Sequence, residues 1–256
     1  MMDWLLYALI GVVTGLLSGL LGLGGGLIVV PSLFILFASQ GMAHEKLMHM
    51  AISTSLMTII VTSLASTLSH YRLQTINGEI LRRLSPMLVL GAITGAYISL
   101  WLSTSVLQYF FAIYALFVAV TMWSSKPIKT HEHFLNQAVI FPVGGFIGII
   151  SALVGIGGGS LTVPYLLMAK QPIQHAIGTS AACGLPISIA AVMGFIIFEQ
   201  GDDIGAIINW TAFIGITSTS IIFAGVGAKL TQKLPVNKLK RLFSLVLFTV
   251  ALSLIL

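Results

Sequence analysis

Six long stretches of the chain, residues 4–44, 47–71, 84–125, 133–169, 171–198 and 204–228, contain no Asp, Glu, Lys or Arg. A helix that crosses hydrocarbon needs about 20 largely apolar residues, so each stretch holds one or two such helices. Glycine-rich and polar breaks divide them into ten segments: 4–21, 27–38, 50–70, 85–102, 105–123, 137–154, 160–169, 176–198, 207–228 and 236–256. The second segment in each group of five is short, about 10–12 residues, or roughly 15–18 Å of helix. That is about half of a hydrocarbon core roughly 30 Å thick. The pattern therefore predicts an all-α membrane protein. In it, residues 4–38 and 137–169 form helical hairpins that dip in and return, each followed by three full spans. A β-barrel would instead show short alternating segments.

The chain repeats itself, which divides it further. The run from Gly15 to Pro31, with Ser18, Gly22, the triplet Gly24-Gly25-Gly26 and its proline, recurs from Gly148 to Pro164 with Ser151, Gly155 and Gly157-Gly158-Gly159. Ala51-Ile52-Ser53-Thr54-Ser55 recurs as Ala176-Ile177-Gly178-Thr179-Ser180, and a weaker third block follows in the same order. Two repeats are expected, 1–125 and 137–256, joined by a cytoplasmic linker at 126–136. The loop carrying Arg72, Arg82 and Arg83 is basic, whereas its counterpart with Glu199, Asp202 and Asp203 is acidic. Opposite charge at matching loops predicts opposite orientation of the halves, with the basic loops cytoplasmic and both termini outside. Trp4, Trp101, Trp123 and Trp210 fall near span ends, as an interfacial aromatic belt places them. Inverted repeats with interrupted helices are an architecture of secondary transporters.

Composition narrows the class. Of 256 residues 57% are hydrophobic and 7% charged, against roughly 25% charged in an average soluble domain. The net charge of +5 lies in short loops and at span ends, where membrane topology explains it better than nucleic acid does. Cys183 is the only cysteine, so no disulfide forms within the chain. The N-terminal Met1-Met2-Asp3-Trp4 lacks the basic region and cleavage site of a removable signal peptide.

The run from Gly22 to Pro31, its echo from Gly155 to Pro164 and the two Ala-Ile-x-Thr-Ser blocks resemble the sulfite exporter TauE/SafE family over nearly the whole length. The resemblance implies a multi-pass carrier in the cell membrane for sulfur oxyanions such as sulfite, thiosulfate or sulfonates, with no cofactor. A channel or a non-transporting membrane subunit is the alternative reading.

The residues themselves point to anion chemistry. Glycine runs expose backbone N–H groups and admit positive φ, and helix N-termini attract oxyanions. Gly24, Gly25 and Gly26 with Gly157, Gly158 and Gly159 are thus candidate ligands at the hairpin tips, though glycines also permit close helix packing. Ser53, Thr54, Ser55, Thr179 and Ser180 can either cap helix N–H groups or donate to an anion. His49 and His175, beside the repeated blocks, are candidates for proton coupling. His44, His70, His131 and His133 are expected at loops or span ends. Cys183 reads as a small buried hydrophobe. No enzyme motif and no metal cluster is present: the chain has no His-Glu-x-x-His, no Gly-x-Ser-x-Gly and no intramembrane Asp pair. No charge falls deep in a span, which fits an anion held by neutral donors and leaves the driving force open.

Overall fold

The computed structural model describes residues 2–22, 24–123, 136–199, 207–231 and 236–255. Among them every regular element is an α-helix: α1 (Met2–Leu21), α2 (Gly26–Ser39), α3 (His44–Arg72), α4 (Gly78–Leu100), α5 (Thr104–Trp123), α6 (Gln137–Val154), α7 (Gly159–Met168), α8 (Ile173–Phe198), α9 (Trp210–Leu230) and α10 (Val236–Ile255). Seven of these are long and apolar enough to cross a membrane, and α2 and α7 are short. Linker residues 126–135, with His131 and His133, lie outside the described residues, as do Asp202 and Asp203.

Helix ends depart from the apolar boundaries in one systematic way. Apolarity starts the third segment at residue 50, but α3 begins at His44 and carries Glu45 and Lys46 in its first turn. Likewise α4 begins at Gly78, ahead of Glu79, Arg82 and Arg83. Apolarity marks where a helix enters lipid, whereas capping and backbone hydrogen bonds mark where it ends, and charged outer turns remain helical in water. Glu79 and Arg83 pair across one such turn at 2.5 Å. Asn77 and Asn209 cap α4 and α9, their Oδ1 atoms accepting from the N–H groups of Ile80 and Ala212 at 3.2 and 2.9 Å. At the C-terminal end of α3, Thr75 N–H donates to His70 O and Gln74 N–H to Tyr71 O, with Gln74 at φ 55°. This is a Schellman closure. It folds the chain back beneath the last turn, so that His70, at the span end as expected, is only 1% exposed.

The helices of the two sequence halves interleave. α1 packs along α9 and α4 along α6, while α3 meets α8 and α5 meets α10. α2 lies against α3, and α7 against α8. The centre of the molecule is α3 with α8, whose apolar windows are 67% and 61% buried against 39–44% for the other five spans. The α1–α9 and α4–α6 faces come so close that a Cβ on Gly15 would sit 2.6 Å from Ser220 O, and one on Gly95 2.5 Å from Ile149 O. Small residues at these crossings let dispersion act between backbones where lipid offers no hydrophobic drive. Trp4, Trp101, Trp123 and Trp210 all project outward near helix ends.

Candidate substrate site at the glycine tips

Each hairpin turns on glycines held at positive φ, a conformation other residues adopt only under strain. Gly22, Gly24 and Gly25 have φ of 66°, 74° and 78° between α1 and α2, and Gly155 and Gly158 both have 74° between α6 and α7. The two tips meet. A Cβ on Gly24 would lie 3.1 Å from the Cα of Gly157, and one on Gly26 would collide with the Gly155 carbonyl oxygen. The N–H groups of Gly25, Gly26 and Leu27, and those of Gly158, Gly159 and Ser160, find no acceptor among the described residues, although all six residues are buried. Two short helices thus begin at the same place, and the positive ends of their dipoles lie side by side.

The hydroxyls of the repeated Thr-Ser blocks are placed around these tips by α3 and α8. They sit some ten residues inside α3 and seven inside α8, so the capping role that their chemistry allows does not apply to their own helices. Instead they reach across. Ser55 Oγ donates to Gly155 O at 2.8 Å and Ser180 Oγ to Gly22 O at 3.1 Å, so each helix grips the tip of the other hairpin. Thr54 Oγ1 accepts the N–H of Asn209 at 3.0 Å, and Thr179 Oγ1 accepts that of Asn77 at 2.8 Å. Ser53 Oγ donates to the Ile207 carbonyl. Its counterpart Gly178 has no side chain because the Thr75 carbonyl oxygen occupies that space: a Cβ on Gly178 would lie 2.6 Å from it. The protons of Ser55 and Ser180 are therefore committed, whereas those of Thr54 and Thr179 donate to no acceptor among the described residues.

The two histidines singled out by sequence take different positions. His49 Nε2–H donates to Ser99 O at 3.0 Å, at the rim of a pocket of about 220 Å³ lined also by Glu45, Lys46, Glu199 and Ile207. His175 is half-buried in the first turn of α8. Cys183 is buried and free. No group of three metal-ligating side chains occurs among the described residues.

Sequence reasoning passed over Ser63 and Ser66. Both hydroxyls are buried and without a hydrogen-bond partner among the described residues. Ser63 Oγ lies over the bare Cα of Gly184, whose Cβ position is 2.6 Å from that oxygen and 3.2 Å from Gly157 O, which places the hydroxyl beside the second tip. The available signal was spacing: Ser63, Ser66 and His70 fall three and four residues apart on one helical face. A buried hydroxyl without a partner costs about 1–3 kcal/mol, so two in a row are a demand for a polar guest.

A family model described as sulfite exporter TauE/SafE matches residues 7–254. A probable membrane transporter protein of Haemophilus influenzae is 35% identical over 98% of both chains. The probable membrane transporter protein YunE of Bacillus subtilis is 24% identical over 99% of this chain and 98% of its own. A similar protein of Methanocaldococcus jannaschii is 27% identical over 98% and 95%. No solved structure matches.

Proposed function

The chain belongs to the sulfite exporter TauE/SafE family and is a probable multi-pass membrane transporter, and from that premise we propose that it carries a small sulfur-containing oxyanion (sulfite, thiosulfate or a sulfonate) by alternating access. The observation that carries this reading is the meeting of two glycine tips whose buried N–H groups find no acceptor among the described residues, with no charged side chain described beside them. An anion in a water-poor site needs compensation. Here the backbone donors, two helix N-termini and the hydroxyls of Thr54, Thr179 and Ser63 supply it.

The halves lie in opposite orientation in this proposal, 1–125 against 137–256, with the arginine-bearing loop at the cytoplasmic face and both termini outside. Its support is the packing itself. Exchanging the first five helices for the last five turns the α1–α9 contact into α6–α4 and the α3–α9 contact into α8–α4, while α3–α8 and α5–α10 map onto themselves. The Ser55 and Thr54 bonds likewise map onto those of Ser180 and Thr179. The pocket at His49, Glu45 and Glu199 then opens to the outside, with Ile207 in its wall one hydrogen bond from Ser53. The closed tips separate it from the opposite face, and their parting passes the anion on.

Uptake of labelled sulfite, thiosulfate and methanesulfonate into proteoliposomes tests the proposal. A carrier saturates and exchanges labelled for unlabelled anion across the membrane. Current without exchange would make the protein a channel, and no flux of any of the three would remove the sulfur oxyanion reading.

A further inference from the structure

Among the described residues Asp, Glu, Lys and Arg stay within about two turns of a helix end or outside the helices, so the helix interiors hold no carboxylate or ammonium to move a proton. The buried end of α3 holds something else. The side chain of His70 bonds through Nε2 to Gly19 O at 3.1 Å and through Nδ1 to Thr75 Oγ1 at 2.9 Å. A carbonyl only accepts, so Nε2 carries a hydrogen in either charge state. Thr75 Oγ1 also lies 3.2 Å from His70 O. Two hydrogen arrangements therefore fit one set of heavy atoms. With a neutral ring, the Thr75 hydroxyl donates to Nδ1. When a proton from water joins the Nδ1 lone pair, the new N–H donates to Thr75 Oγ1, and the hydroxyl swings to donate to His70 O. No donor is left bare in either state.

A second feature ties this pair to the substrate. Ser63 and Ser66, two of the four buried hydroxyls without a partner among the described residues, share a helical face with His70 and lead from the second glycine tip to it. At 1.5 Å per residue the distance from Ser63 to His70 is about 10 Å along the helix. A positive ring at one end of this file lowers the cost of an anion at the other, because poorly screened charges act strongly at such range. The linkage is reciprocal: bound anion raises proton affinity, and bound proton raises anion affinity. We infer that His70 and Thr75 form a proton-binding site that couples proton movement to anion movement, an inference resting on the transport reading above.

The ionisable neighbours of this end of α3 include one other imidazole, His175. Among the described residues, those on the elements that meet this end of α3 are Tyr71 and Arg72 on its own helix, Lys229 in the last turn of α9, Lys170 in the turn between α7 and α8, and His175 in the first turn of α8, while the adjoining end of α1 carries none. No ion pair involving His70 is present among the described residues.

The test uses the full chain in proteoliposomes with labelled thiosulfate, which takes up no proton near neutrality. An imposed pH gradient should drive accumulation by the unaltered protein. His70→Gln keeps a donor for Gly19 but cannot titrate; it should lose at least tenfold of gradient-driven accumulation while labelled-for-unlabelled exchange persists. Thr75→Val should lose the gradient response and Thr75→Ser should recover it, which a merely structural role for the hydroxyl would not separate from melting temperature. Accumulation by His70→Gln equal to the unaltered protein overturns the inference. If His70→Gln does not fold, an unchanged gradient response in Thr75→Val overturns it instead. Exchange without any response to pH in the unaltered protein overturns the coupling and leaves the carrier reading intact. Absence of exchange for thiosulfate, sulfite and methanesulfonate overturns both.

Discussion

Thr179 Oγ1 accepts the N–H of Asn77 at 2.8 Å across 102 residues of chain. Asn77 is itself the cap of α4. One hydroxyl on α8 thereby fixes where α4 begins, and Thr54 does the same for α9 through Asn209. The bond joins the two sequence halves.

Loss of that hydroxyl should show in stability and transport together. Thr179→Ala strands a buried N–H and should destabilise the protein by about 1–3 kcal/mol. Thr179→Ser should keep most of the stability. The double substitution Thr54→Ala with Thr179→Ala should also raise KM for the anion. Melting temperature in detergent and saturation of uptake measure the two effects; Ala and Ser variants of equal stability would remove the bond from any account of the fold.

Gly24→Ala should disable transport because its Cβ would press on Gly157. Positive φ alone costs an alanine about 1–3 kcal/mol. Gly41, with φ 73° and nothing within 4 Å of its Cβ position, controls for that strain. Exchange should fall at least tenfold in Gly24→Ala and remain near normal in Gly41→Ala. Equal activity in the two variants would show that contact between tips is immaterial.

Ser63→Ala separates binding from folding. Removing a buried hydroxyl that has no partner should leave the melting temperature unchanged or higher. If that hydroxyl meets the anion, KM should rise about tenfold, the loss of one hydrogen bond to a charged group. A variant with normal KM would take Ser63 out of the site.

Arg82→Cys and Glu45→Cys should label from opposite sides of the membrane. Both positions are exposed, and native Cys183 is buried, so it gives no background. Labelling from one side would end the inverted arrangement.

How much of the fold and site is legible in the sequence depends on the range of the interaction. The ten helical segments and both hairpin turns follow from apolarity and glycine, which act locally. The meeting of Gly24 with Gly157 is expected from repetition of the motif. The partners of Thr54, Ser55, Thr179 and Ser180 are not legible, because each bond spans 100 or more residues and depends on which helix faces which. His70 reads as a span-end residue, since its burial depends on the chain reversing at Gln74. A glutamine at φ 55° gives no sequence signal of the kind a glycine gives.

The contact between the glycine tips also bears on speed. Without side chains, the tips touch through few atoms, and each atom pair contributes only about 0.1–0.2 kcal/mol. The Ser55 and Ser180 hydrogen bonds add about 1 kcal/mol each. A latch of a few kcal/mol opens far faster than a helix interface slides. In the proposed alternating-access cycle the slow step would then belong to the broad glycine-lined faces of α1 on α9 and α4 on α6, and substitutions there, remote from any anion, should change the turnover rate.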